Sequence, residues 1–162
     1  MKQLISLITK ILLFAFLIAG VYSFKSVSAC TRVSAVSKDS VTKKGIVLSG
    51  SNEVPAISPS GSGTLHVSYD KAAKTLTYSA RWSGMTDSVT MMHFHGPAEK
   101  GTNAGVLYPI TDFTPGTSGT ANGTVKLDGA KLKEAELLGG KWYYNIHTKT
   151  HPGGEIRGQV TF

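Results

Sequence analysis

Four histidines stand where folding can bring them together: His93 and His95 in Met92-His93-Phe94-His95-Gly96-Pro97, and His147 and His151 in Tyr144-Asn145-Ile146-His147-Thr148-Lys149-Thr150-His151. Residues two apart on a strand share a face and lie about 6.6 Å apart along the chain, so two imidazoles can reach one ion through bonds of about 2 Å. His147 adds a third nitrogen if its strand runs beside that of His93 and His95, and His151 or Glu155 then completes the set. Neutral imidazoles with no thiolate at hand suit zinc or copper(II). The competing reading gives the same rings structural work: His93 and His147 hydrogen-bond backbone or each other, and His95 starts the Gly96-Pro97 turn. Beside them Asn145, Glu155, Arg157 and Gln159 form a second polar group, a candidate binding surface. Glu155 and Arg157 are expected to form an ion pair, worth under about 1 kcal/mol if exposed. No Gly-x-Ser-x-Gly elbow or Ser/His/Asp spacing appears, so nucleophilic hydrolysis has no support and the chain reads as non-enzymatic.

The elements that must position these groups follow a period of two. Residues 63–70 and 75–82 alternate apolar and polar side chains around Asp70-Lys71-Ala72-Ala73-Lys74 and predict a hairpin. Further strands are expected near 46–49, 89–95, 106–110, 123–128, 141–147 and 155–162, with one helix over 130–138 ended by Gly139-Gly140. About eight short strands with glycine-rich turns argue for an all-β fold, an antiparallel Greek-key sandwich or barrel with one short helix. Parity assigns Met92, Phe94, Trp142, Tyr144, Ile146, Ile156, Val160 and Phe162 to the core, together with Trp82. It sends Met91, all the histidines and the Glu155, Arg157, Gln159 row to outward faces. His66 reads as a solvated surface residue.

The N-terminal apolar run 11–21, with Lys2 and Lys10 around its start, reads as the core of a signal peptide over residues 1–29. Val27-Ser28-Ala29-Cys30 satisfies both a small-residue cleavage rule and a permissive lipobox. Cys30 is the only cysteine, so no internal disulfide is available, and lipidation would turn a lone exported thiol into a membrane anchor. Thr31 in place of Asp after the cysteine favours the outer membrane or cell surface, with a periplasmic or secreted protein as the alternative. Removing residues 1–29 takes the formal charge from +7 to +4, and no basic stripe interleaved with aromatics remains, which argues against a nucleic-acid partner. Residues 30–44 read as a flexible spacer and 45–162 as one domain large enough to fold without metal or disulfide.

Several of these stretches together resemble a known family. Leu48-Ser49-Gly50-Ser51-Asn52-Glu53-Val54-Pro55, the glycine-rich strand before Asp70, His93-Phe94-His95-Gly96-Pro97-Ala98, and Tyr144–Thr148 followed by Pro152-Gly153-Gly154-Glu155-Ile156-Arg157-Gly158-Gln159 look like the chordin-type domain, CHRD. The resemblance spans nearly all of 45–162 in the expected order. It implies an immunoglobulin-like barrel similar to that of copper-zinc superoxide dismutase, and it carries over no catalytic residues. In animal chordin such domains occur in an extracellular antagonist of growth-factor signalling; in microbes they occur singly in exported proteins and lipoproteins. The expected function is therefore a lipid-anchored binding module of the cell envelope, its partner an envelope or extracellular protein or a glycan, with no cofactor required. The alternative is a copper- or zinc-binding protein using His93, His95 and His147.

Overall fold

Alternating side chains make each strand two-faced, and the fold closes one face of every strand onto a common core. A computed structural model describes residues 39–162. The expected signal peptide, Cys30 and the first part of the spacer lie outside the described residues. Eight strands follow in order: β1 (Ser40–Ser49), β2 (Ser62–Asp70), β3 (Thr75–Ser83), β4 (Val89–His95), β5 (Val106–Ile110), β6 (Gly119–Lys126), β7 (Trp142–Thr148) and β8 (Ile156–Val160). A 3-10 turn, Gly50–Asn52, follows β1, and one short helix, α1 (Glu134–Leu138), precedes β7. The strands form a single antiparallel sheet in the order β5-β4-β7-β8-β1-β2-β3-β6, curled into a nearly closed barrel. β4 lies beside β7 and β6 beside β3, the crossed connections of a Greek key. Among the described residues no helix is long and apolar enough to cross a membrane.

The core is aromatic at its centre. Phe94 meets Tyr144 edge-on at 5.1 Å between ring centroids and Tyr78 at 5.4 Å, with Trp142 at 6.1 Å. Leu48, Leu65, Leu76, Met92, Ile146 and Ile156 fill the space around them with no exposed surface. Phe162, expected in this group, is instead 37% exposed, because β8 ends at Val160 and leaves the last ring unpaired.

The largest departures from the expected element boundaries each have a local reason. β1 starts at Ser40, inside the expected spacer, since Ser40–Lys43 pair with the end of β2; a bulge between Lys43 and Ile46 breaks the alternation that would have revealed it. β6 starts at Gly119, before the expected Gly123. Both glycines sit directly opposite large rings of β3, Gly119 against Trp82 and Gly123 against Tyr78, where an added Cβ would come within 2.6 Å of the ring or its hydroxyl. Covering rings thus compensate for residues that weaken an isolated strand. α1 is shorter than expected because Asp128 Oδ1 accepts the backbone N–H groups of Ala130, Lys131 and Leu132, folding that stretch into an Asx turn.

Truncation of Phe94 to alanine should cost about 3–5 kcal/mol of unfolding free energy, read as a lower urea midpoint at unchanged slope. A shift of the midpoint worth less than about 1 kcal/mol would contradict the placement of this ring at the centre of the core.

Candidate functional site

On the face of β4, β7 and β8 turned away from the core, register sets out a small polar grid. Met91 stands opposite His147; His93, Asn145 and Arg157 form the next row; His95, Tyr143 and Gln159 form the third. The pairing of β4 with β7 and of β7 with β8 is the arrangement a joint site of His93, His95 and His147 requires. The parity assignment holds for these residues, but most of the grid is not outward in the sense of exposed. Asn145, His147, Arg157 and Tyr143 are buried, and His95 is only 8% exposed.

Two loops roof the grid, and the polar side chains fasten them. Arg157 donates from Nη1 to Asn103 Oδ1 at 3.0 Å and from Nη2 to the Thr102 carbonyl at 2.6 Å, and its guanidinium lies 3.4 Å from the centroid of the Tyr143 ring. Tyr143 hydroxyl bonds both the N–H and the carbonyl of Ala104, and Gln159 Nε2 donates to the carbonyls of Ala98 and Gly140. Asn103 in turn reaches the Val54 carbonyl, joining loop 97–105 to loop 53–57. Glu155 does not pair with Arg157. Its oxygens accept from the Thr86 N–H at 2.7 Å and the Thr148 hydroxyl at 2.6 Å, so the expected exposed or half-buried ion pair is replaced by two separate buried anchors. His66 is exposed as expected and accepts the Gly45 N–H.

Beneath the roof the three imidazoles converge. Ligand atoms of His93, His95 and His147 lie within 4.8 Å of one another, so one point lies within about 2.8 Å of all three. Small ring rotations bring that to the bond length of about 2.0–2.1 Å that zinc makes with histidine. Two rings are held by their far sides: His95 Nδ1 is 3.0 Å from the Ala104 carbonyl, and His147 Nδ1 is 2.9 Å from the Pro152 carbonyl. A carbonyl only accepts, so both Nδ1 atoms carry the proton; neutral His95 then presents an Nε2 lone pair inward, whereas His147 Nε2 meets a second acceptor in the Asn145 amide oxygen. His147 Nε2 faces His93 Nδ1 at 3.1 Å and Asn145 Oδ1 at 2.9 Å. His95 Nε2 is buried with no hydrogen-bond partner at all. Asn145 lies close enough to favour a proton on His95 through a loose side-chain hydrogen bond, but no group meets strict hydrogen-bond geometry at that nitrogen. His151 stays outside the trio; its backbone shapes the 149–154 turn, accepting from Gly154 N–H, while its N–H donates to the Thr148 hydroxyl.

The electrostatics keep the rings neutral. Desolvation pushes His93 down to about 4, with His147 and His95 adding to it. His95 is lowered by burial, against the Ala104 hydrogen bond, and Arg157 also disfavours its charged form. His147 is lowered by burial, with the Pro152 carbonyl opposing.

Sequence reasoning missed Glu53, a further ionisable group of this layer. It enters from the loop after β1, is 7% exposed, and hydrogen-bonds Asn145, with one oxygen, Oε1, unpartnered. Burial raises its carboxyl to about 7 despite the opposing Arg157 charge and the Asn145 bond. Gly154, at φ 127°, passes so close that a Cβ there would lie 2.5 Å from Glu53 Oε1 and 2.7 Å from Asn145 Nδ2. The Pro-Gly-Gly turn therefore admits Glu53 rather than merely reversing the chain. Tyr143, Asn103 and the Thr102 carbonyl were missed too, and only the pairing of distant segments could have revealed them.

Compared with known proteins, the chain matches a family model, the CHRD domain, over residues 45–160. No curated protein and no solved structure matches it.

The buried groups set opposite pH dependences. The three histidines titrate below their ordinary value when folded, so the unfolded chain takes up their protons first and stability rises with pH from about 4 to 6.5. Glu53 keeps its proton longer when folded, so its contribution falls as pH rises from about 4.5 to 7. Glu53→Gln should remove only the second effect, steepening the rise between those values and adding up to about 3 kcal/mol at pH 8. Urea midpoints across this range check it; identical profiles for the two proteins would refute the buried carboxyl.

Proposed function

We propose that this chain, which belongs to the CHRD domain family and is a binding and interaction module in kind, binds a copper or zinc ion at His93, His95 and His147. One observation carries the reading: three imidazole nitrogens converge while backbone carbonyls hold the far sides of two of the rings. That second layer of hydrogen bonds orients metal-bound histidines and raises their basicity. It also explains a buried ring nitrogen with no protein partner, a group that costs about 1–3 kcal/mol if nothing ever meets it. The low histidine pKa values support the same reading, because neutral imidazole, not imidazolium, is the ligand.

The polar row had suggested a surface for a protein or glycan. Asn145, Glu155 and Arg157 are instead spent on the roof and on interior anchors, which favours an ion over a macromolecule as what this face receives. The proposed role is binding rather than catalysis, in an exported protein held at the envelope through a lipid on Cys30. The support for export is the apolar run before a cleavage motif that ends at the single cysteine.

Purified protein should bind one copper(II) or zinc ion, with both His93→Ala and His95→Ala reducing affinity at least a hundredfold. Saturating metal at about 100 times its Kd should stabilise the fold by about 2.7 kcal/mol. Binding should persist below pH 6, where free imidazoles are mostly protonated, since His93 titrates near 4. No stoichiometric metal at micromolar concentration, with no change in either variant, would end this reading. For the anchor, a clickable fatty acid should label the wild-type protein in cells and not Cys30→Ser; equal labelling of both, or of neither, would remove the lipoprotein reading.

A further inference from the structure

The grid holds one more potential ligand, and its chemistry differs from the others. Met91 shares the face of His93 and His95 on β4 and stands directly across from His147 on β7. Cross-strand neighbours have Cβ atoms about 4.5–5.5 Å apart, within the span of an unbranched thioether with three rotatable bonds. Met85 and Met92, the other described methionines, lie in the core, where Met92 Sδ accepts the Tyr144 hydroxyl. Met91 is 43% exposed and packs no core, on a strand position where a β-branched or polar residue would serve better. It lies two residues from His93, the least buried ring of the three.

The charge around the cluster supplies a second, independent constraint. None of the three converging groups is an anion. The fixed charge nearby is the Arg157 guanidinium, which lies 3.4 Å from the centroid of the Tyr143 ring that His95 also stacks on, and no carboxylate joins the three histidines. A divalent ion buried among neutral ligands beside a guanidinium keeps its whole charge uncompensated, whereas a monovalent ion halves that burden. Thioether and imidazole ligands together select copper(I) among common metal ions.

Resting on the metal reading above, we propose that the physiological ion is copper(I) and that Met91 is its fourth, sulfur ligand, closing the mouth of the three-histidine site. The flexible side chain swings over the ion from the solvent side, while the rigid imidazoles hold it from within. Zinc, which gains little from a thioether, binds through the histidines alone.

The test is a Met91→Leu substitution, made in a Cys30→Ser background so that no thiol contributes. Leucine keeps the size and apolar character of the side chain and deletes only the sulfur. Copper(I) affinity is measured under ascorbate by competition with bicinchoninate, and zinc affinity by competition with a chromophoric chelator. Met91→Leu should weaken copper(I) at least tenfold and change zinc by less than threefold. X-ray absorption of the copper(I) protein should show a sulfur scatterer at bonding distance that the variant lacks. Equal copper(I) affinities, or no sulfur scatterer before substitution, would overturn the role of Met91 and leave the three-histidine site standing. Failure of the parent protein to bind either metal would overturn both.

Discussion

A buried guanidinium organises this molecule. Arg157 is 1% exposed, and its positive charge can be tolerated inside only if nearly every N–H finds an acceptor and its flat face finds a ring. The sheet alone supplies only the ring. Tyr143 supplies the ring from the neighbouring strand, but the acceptors, Thr102 carbonyl and Asn103 Oδ1, come from a loop more than fifty residues away in sequence. Satisfying Arg157 therefore requires loop 97–105 to lie across the grid, and Asn103 passes the constraint on to Val54 in the second loop. The Asn52 side chain closes the circuit from the other end by donating to the Arg157 carbonyl.

The histidine cluster is a consequence of that roof. Bringing loop 97–105 down sets the Ala104 carbonyl against His95 Nδ1, and the 149–154 turn sets the Pro152 carbonyl against His147 Nδ1. The groups that hold the loops also fix the position of the proton on these two rings. The hydrogen bond between His93 and His147, expected if the rings were merely structural, does form; it occupies the His147 Nε2 lone pair, so an ion at the point the three rings share would have to displace it. Burial under the roof lowers the proton affinity of every ring, which leaves the lone pairs available over a wider range of pH than on an open surface.

The same enclosure makes the site poor in negative charge. Glu155 is committed to the Thr86 N–H and the Thr148 hydroxyl, and Glu53 is held partly protonated by desolvation. An ion entering this layer meets dipoles and lone pairs rather than carboxylates, unlike the oxygen-rich sites that take calcium or magnesium. The apolar core beneath, centred on Phe94, Tyr144 and Trp142, fixes the strands from which the rings project. Precision in the grid thus comes from packing on one face and hydrogen bonding on the other.

Much was legible in the chain itself. Alternation along residues 89–95 and 142–147 told which side chains share a face, because the pleat makes side-chain direction a local property. The Gly-Gly-Glu-Ile-Arg-Gly-Gln stretch marked the family, and turn residues marked most strand ends. What alternation could not say was whether the polar face meets water or a roof. That depends on where loops 50–57 and 97–105 settle, and the contacts that decide it join residues about fifty to more than a hundred positions apart, such as Asn103 with Val54 and Asn52 with Arg157. Glu53 carries no local mark of burial, and the Glu155 and Arg157 spacing suggested a pair that distant partners pre-empted. The sequence by itself determined the strands, their faces and the candidate ligands, since each follows from neighbours along one strand. Only the tertiary structure decided their enclosure, tautomers and proton affinity, because these arise from solvent exclusion and hydrogen bonds between segments remote in sequence.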